Sequence, residues 1–452
     1  MKRILSVVAF ALLSSVVCGE VFKDGETVCF FGDSITHGGR FHSFIYDYYL
    51  TRFPERTIRF VNAGVSGDSA GGALGRLSED VTDKKPTSVV FMFGMNDVGR
   101  GNYVVDPDES RRTAQKRALD GYQNNMEKLV ARVRNEAGEP HLVFITPSPF
   151  DQTGVNNRNN NQPGCNDGLG RCAALVRELA VKNNGVVVDF HAPMTAFNAE
   201  QQKRDPTYTI VGPDRVHPGA PGHLMMAWLF LKAQGAPSLV FRVVVDAVAC
   251  RVVEVSNASV TEVSKKDGIC VFTVLERALP FPVDSAALPI LDQLPIEQEL
   301  DQEIVAVKGL NAGTYELRID DSPVGRYTAE ALSKGVNLAL NAAAPQVKQA
   351  QAVAKLNEMR RSTETVLRDY AAVRCFLKHR QINPDDLAAT KVFAETKMAK
   401  TGYYEGKVLN YMKNWERRGE VTAKVESLER EIFSVRKPIA HTFAVCPCAV
   451  NQ

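Results

Sequence analysis

Neither charge sign predominates in this 452-residue chain: 54 Lys and Arg stand against 52 Asp and Glu, a formal charge of +2. Without a basic or acidic excess there is no electrostatic ground for nucleic acid or an anionic membrane as partner, which points to a small or neutral one. Beyond the N-terminus no uninterrupted apolar run reaches the roughly 18 residues a spanning helix needs. No long internal repeat is present, and low-complexity sequence is confined to the polar stretch 156–161. Ligand pairs at metal spacing are missing too. Cys446-Pro447-Cys448 has no second Cys or His pair after it, and His223 has no partner at ligand distance, so neither is expected to hold a metal.

What is present begins with a basic start, Met1-Lys2-Arg3, an apolar stretch over 4–17 and then Cys18-Gly19-Glu20. That is the pattern of a signal peptide over 1–19, with export to the periplasm or beyond. Lipidation at Cys18 is the lesser alternative, because Ser15, Val16 and Val17 fit a lipidation signal poorly. Nine cysteines in an exported chain make disulfides plausible, with Cys165 and Cys172, in one polar loop, as the favoured pair and Cys29 as a small core residue.

From 26 to 235 short apolar runs alternate with amphipathic stretches, the pattern of a parallel sheet covered by helices. Strands are predicted at 28–31, 58–61, 89–93, 142–145 and 186–189. Phe41, Phe44, Ile45, Tyr48 and Tyr49, and later Met126, Leu129, Val130 and Val133, recur at helical spacing. The expected fold class is α/β, a doubly wound domain with its chemistry beyond the carboxyl ends of the strands. The segment 239–345 is rich in Val, Thr and Phe with turn signals and is expected to form a small β-rich module. A helical region over 346–440 follows, carried by Val353, Leu356 and Met359 and by Val425, Leu428, Ile432 and Val435, with Asn383-Pro384 as a helix start. These stripes are expected as packing seams, an oligomer interface being the lesser alternative. Residues 441–452 are left as a tail.

Two Gly-Asp-Ser triplets compete for the nucleophile. Gly67-Asp68-Ser69-Ala70-Gly71 has the GxSxG form, with His37-Gly38-Gly39 upstream. The residues before it, Asn62 to Ser66, are too polar and glycine-rich for a central strand end, and fewer than thirty residues separate the two elements. Ser34 instead follows an apolar strand directly. Asp214-Arg215-Val216-His217 then supplies a carboxylate and an imidazole three residues apart, so that Asp214 can orient His217 while the other ring nitrogen takes the proton of Ser34. The backbone amides of Ser34 and Gly67 and the side chain of Asn96, each just after a strand, are the candidate donors to a developing oxyanion. Asp33 is expected as a structural hydrogen-bonding residue, His37 as an exposed loop residue beside the site, and His223 as part of a helix start.

Gly32-Asp33-Ser34, Gly67, Gly94-Met95-Asn96-Asp97 and Asp214-Arg215-Val216-His217 resemble, in order and spacing, the four blocks of the SGNH/GDSL hydrolase family, over residues 26 to 235. The resemblance implies a three-layer α/β/α fold on a five-stranded parallel sheet. It further implies ester hydrolysis with no metal or cofactor, Ser34 as nucleophile, Asp214 and His217 as triad partners, and Ser34, Gly67 and Asn96 as the oxyanion hole. Nothing transfers to 239–452 residue by residue. The loops expected to edge the site, 99–112 and 153–171, are polar, which favours an O-acetylated carbohydrate over a lipid or general acyl ester. A chain that mainly binds glycan or a surface partner, with a vestigial hydrolase domain, is the alternative from another class.

Overall fold

A computed structural model describes residues 20–398, 400 and 402–448. The expected signal peptide and Cys18 lie outside the described residues. Five buried apolar runs form the central sheet: β1 Thr27–Gly32, β2 Arg59–Gly64, β3 Ser88–Met92, β4 His141–Ile145 and β5 Val186–Val188. Their order is β2-β1-β3-β4-β5 and every pairing is parallel. All five predicted strands are found within two or three residues of their expected bounds. Strand alternation sends Val28 and Phe30 into one apolar core and Cys29 and Phe31 into another, so the sheet is buried on both faces.

Helices cover both faces. Between β1 and β3 lie α1 Ser34–Gly38, α2 Arg40–Arg52, α3 Ala70–Ala73 and α4 Leu77–Asp80. The long α5 Glu109–Ala137, α6 Cys165–Lys182, α7 His191–Gln202 and α8 Ala220–Ala233 complete the domain. On one face α2 and α8 bury Phe41, Ile45, Tyr48, Leu224 and Phe230; on the other, α5 and α6 bury Tyr122, Met126, Leu129, Leu169 and Val176. The result is the three-layer α/β/α arrangement.

The rest of the chain is β6 Leu239–Asp246, β7 Arg251–Ser256, β8 Ala258–Lys266, β9 Ile269–Glu276, α9 Ile296–Leu300, β10 Gln302–Lys308, β11 Thr314–Ile319, β12 Ser322–Thr328, α10 Ala329–Lys334 and β13 Val336–Asn337. Then come α11 Pro345–Lys378, α12 Leu387–Thr396, α13 Glu405–Asn414, α14 Arg418–Val435 and β14 Ala440–Pro447. Sheets of order β13-β10-β6-β7 and β12-β11-β14-β9-β8 enclose a third core.

Three expectations are corrected here. The supposed tail contains β14, which pairs with β9 and β11 and buries Phe443 and Val445. Asn383-Pro384 is a turn, and the helix after it begins at Leu387 under an Asp386 cap that accepts from the Ala389 amide. Cys165 and Cys172 lie not in a loop but both on α6, buried as free thiols. Seven helical residues separate them by about 10 Å, beyond the roughly 7 Å a disulfide can bridge.

Helix α11 is 34 residues long, about 50 Å at 1.5 Å per residue. Val347 near its start enters the β-module core, Val353 the core of the α/β domain, and Tyr370, Val373 and Leu377 a fourth core with Val408 and Tyr411. One helix thus binds the C-terminal elements to the α/β domain. No helix among the described residues is long and apolar enough to cross a membrane.

Candidate active site

β1 ends at Gly32, where a Cβ would lie 2.6 Å from the Met92 carbonyl oxygen, so glycine is needed for the close approach of the chain to β3 here. Asp33 then caps α1, accepting from the Ile35 amide at 3.0 Å. It has the structural role expected of it. Burial pushes its carboxyl up to about 6, with the Ile35 amide acting the other way. Ser34, the first residue of α1, stands at the carboxyl edge of the sheet.

Its partner arrives on the loop before α8. Asp214 accepts from the amides of Val216 at 3.1 Å and His217 at 2.9 Å, which winds the loop into one tight turn. Val216 is buried in the core, and so is Arg215, whose positive φ of 69° turns its side chain inward. There it donates to the carbonyls of Asp151 at 2.6 Å and Gly154 at 2.9 Å. With those two residues anchored, Asp214 and His217 face outward. His217 Nδ1 donates to Asp214 at 2.5 Å, and the Ser34 hydroxyl donates to His217 Nε2 at 2.8 Å. Partial burial pulls the Asp214 carboxyl up, but the His217 side chain and the two amides outweigh it and hold it at about 2. The carboxylate therefore stays charged and fixes which imidazole nitrogen carries the proton.

The other two predicted site residues lie on loops that are tied to each other. Gly67 has φ +78°, a left-handed turn that favours glycine, and nothing lies within 4 Å of a Cβ there. Asn96 donates from its side chain to the Asp68 carbonyl at 2.8 Å. Asp97, from the same motif, accepts from the Ala70 amide at 2.8 Å and the Gly94 amide at 3.1 Å. Burial raises the Asp97 carboxyl to about 7. Ser69, the rival nucleophile, caps α3 by accepting from the Gly72 amide at 3.2 Å. It is a helix-start residue.

Beneath these loops Arg76, buried, donates to the Gly32 carbonyl at 2.9 Å, the Ala63 carbonyl at 2.6 Å and the Asp68 carboxylate at 2.7 Å. It ties the ends of β1 and β2 to the Gly67 loop, a support that no sequence motif announced. His37 is also corrected. It is buried within α1, and its Nδ1 accepts from the Ser66 amide at 3.0 Å. His223 lies on α8 as expected and is buried. Among the described residues no group of three or more His, Cys, Asp or Glu is arranged to hold a metal. Of the loops expected to edge the site, 153–171 is irregular only to 164, because Cys165 starts α6, and 99–112 enters α5 at Glu109.

Residues 30–225 match the model of the GDSL-like lipase/acylhydrolase family. The chain is similar to an acetylxylan esterase of Geobacillus stearothermophilus, 28% identical over 226 residues, which are 47% of this chain and 94% of that one. Among solved structures, a gut microbial diltiazem-metabolizing enzyme superposes with a TM-score of 0.88 and 31% identity, over 95% of this chain and 99% of its own. A crystal structure of an acetylxylan esterase from Geobacillus stearothermophilus covers 47% of this chain and 95% of its own, with 27% identity and a TM-score of 0.37. The β module and C-terminal helices therefore recur, with the α/β domain, in one solved relative.

Proposed function

The chain belongs to the GDSL-like lipase/acylhydrolase family and is a carboxylic ester hydrolase, and on that premise we propose that it is an exported esterase removing O-acetyl groups from carbohydrate. The observation that carries the mechanism is the continuous path from Ser34 through His217 to Asp214 at 2.8 and 2.5 Å. His217 Nε2 takes the Ser34 proton as Oγ attacks the acyl carbon. Amides of Ser34 and Gly67 and the Asn96 carboxamide stabilise the oxyanion. His217 then protonates the departing sugar oxygen, leaving Ser34 acylated. Water, deprotonated by His217, attacks that acyl group, and acetate leaves as Ser34 regains its proton.

The acetyl-carbohydrate assignment is supported by the acetylxylan esterase relative and by the half-exposed Asp214 and His217 side chains, 43% and 49% accessible, which suit a broad polar substrate. One observation favours a second reading, a small-molecule acyl ester. The relative that matches nearly the whole chain is described as metabolizing diltiazem, whereas the acetylxylan esterase matches only the catalytic half. Acetate release from acetylated xylo-oligosaccharides, compared with p-nitrophenyl acetate and a long-chain p-nitrophenyl ester, separates them. The proposal expects the oligosaccharide to have the highest kcat/KM. A higher value on p-nitrophenyl acetate supports the small-ester reading, and one on the long-chain ester a lipase.

A further inference from the structure

Both main-chain polar groups of Ser66, the residue before Gly67, are held by side chains that lead into the C-terminal helices. The Ser66 amide donates to His37 Nδ1 at 3.0 Å, and the Tyr404 hydroxyl donates to the Ser66 carbonyl at 3.4 Å. On its far side His37 meets Asp369, on α11, with Nε2 3.1 Å from a carboxylate oxygen. That oxygen is also paired with Lys407 of α13.

The chemistry of this chain of contacts fixes its protons. A main-chain amide can only donate, so His37 Nδ1 must be unprotonated where Ser66 meets it. A neutral imidazole then carries its hydrogen on Nε2 and donates it to Asp369. Burial, the largest influence, pushes the imidazole below its ordinary value, while Asp369 acts the other way and Arg368 and Lys407 add to the lowering. Protonating Nδ1 would set one hydrogen against another at Ser66. The arrangement repeats, one loop away, the carboxylate–imidazole logic of Asp214 and His217, but its Nδ1 is shared between the Ser66 amide at 3.0 Å and the Ser66 hydroxyl at 3.1 Å, so that both groups of Ser66 are held in the turn.

Resting on the function proposed above, we propose that Asp369 is a positioning residue for ester hydrolysis: through His37 it fixes the Ser66–Gly67 turn so that the Gly67 amide meets the oxyanion. The C-terminal helices are thereby part of the active-site machinery of the α/β domain. A misplacement of about 1 Å at such a donor can cost on the order of 10²-fold in rate.

The test compares full-length Asp369→Ala, Asp369→Asn and Lys378→Gln with the unsubstituted enzyme on p-nitrophenyl acetate. Asp369→Ala is expected to lose 10- to 100-fold, by the same estimate of about 10² for misplacement, in kcat with KM nearly unchanged. Asp369→Asn keeps an oxygen acceptor for Nε2–H and is expected to recover most of that loss. Lys378→Gln breaks another ion pair of α11, with Glu79 of α4, without touching Asp369 or His37 and is expected to behave like the parent. Equal kcat for Asp369→Ala and Lys378→Gln overturns the proposal. So does a loss that Asp369→Asn fails to recover. Nitrogen-15 NMR of His37 in the unsubstituted enzyme, assigned through correlations to its own backbone, reads the same point without turnover and without relying on a variant that folds poorly. An unprotonated Nδ1 is expected, and a protonated one overturns the coupling. An unsubstituted enzyme without ester hydrolysis would sink the proposed function, while the NMR result would still decide the coupling.

Discussion

The side-chain amide of Asn96 donates to the carbonyl of Asp68 at 2.8 Å, so one of its two N–H bonds is spent on the Gly67 loop, and the proposed mechanism assigns the other to the oxyanion. Asn96 thus holds the loop and carries a donor of its own. Asn96→Ala is expected to reduce kcat on p-nitrophenyl acetate by about 10²- to 10³-fold, with KM little changed. A change confined to KM would mean that Asn96 binds the ground state and not the oxyanion.

Asp214 accepts three hydrogen bonds, one from the His217 ring and two from amides. Asp214→Asn presents N–H where His217 needs an acceptor, and a fall in kcat of about 10⁴-fold is expected. Because the carboxyl sits at about 2, below its ordinary 3.8, its contribution to stability is present above pH 4 and is lost as pH falls through 2. Urea unfolding of parent and variant should therefore converge on acidification; a gap that widens toward pH 2 contradicts this.

Asp80 lies between two buried guanidiniums, 2.8 Å from Arg76 and 2.6 Å from Arg368 of α11. Burial alone would raise its carboxyl, but Arg368 first and then Arg76 hold it at about 2. Asp80→Asn is expected to destabilise the protein by about 3–5 kcal/mol at pH 7, since buried Arg368 loses its carboxylate partner and Arg76 keeps only Asp68. The sign is that of a depressed acid: the difference is full above pH 4 and shrinks as pH falls toward 2. An equal loss at both ends of that range would show that shape and not charge matters at this site.

Cys165 and Cys172 are buried free thiols whose burial pushes both above the ordinary thiol value, Cys165 to about 12. Neither should react with a soluble thiol reagent until the protein unfolds. Adding a reductant is expected to leave the unfolding midpoint unchanged. A drop in midpoint on reduction would restore the disulfide that the sequence suggested.

The five strands were legible because each is an apolar run ending in small or polar residues. The Ser34, His217 and Asp214 constellation was legible because its partners share one short loop. Other features depend on contacts distant in sequence. Asn62, Ala63 and Gly64 looked too polar for a strand, yet they end β2. The Asn62 side chain donates to the His37 carbonyl and accepts from the Gly64 amide, while Arg368 donates to the Asn62 carbonyl. His37 looked exposed because its neighbours are Gly38 and Gly39, but what buries it comes from residues some three hundred positions later. β14 completes its sheet through pairing with β9 and β11, strands far from it in sequence. Cys165 and Cys172 were misplaced because glycines within 164–170 disguised the first turns of α6.

The most direct measurement is acetate release by the purified enzyme with Ser34→Ala and Ser69→Ala assayed side by side. Ser34→Ala should abolish turnover while remaining folded. Ser69→Ala should keep nearly all of it and lose only about 1 kcal/mol of stability, the usual contribution of a helix cap. Loss of turnover in Ser69→Ala with activity retained in Ser34→Ala would contradict the assignment of the nucleophile and the mechanism built on it.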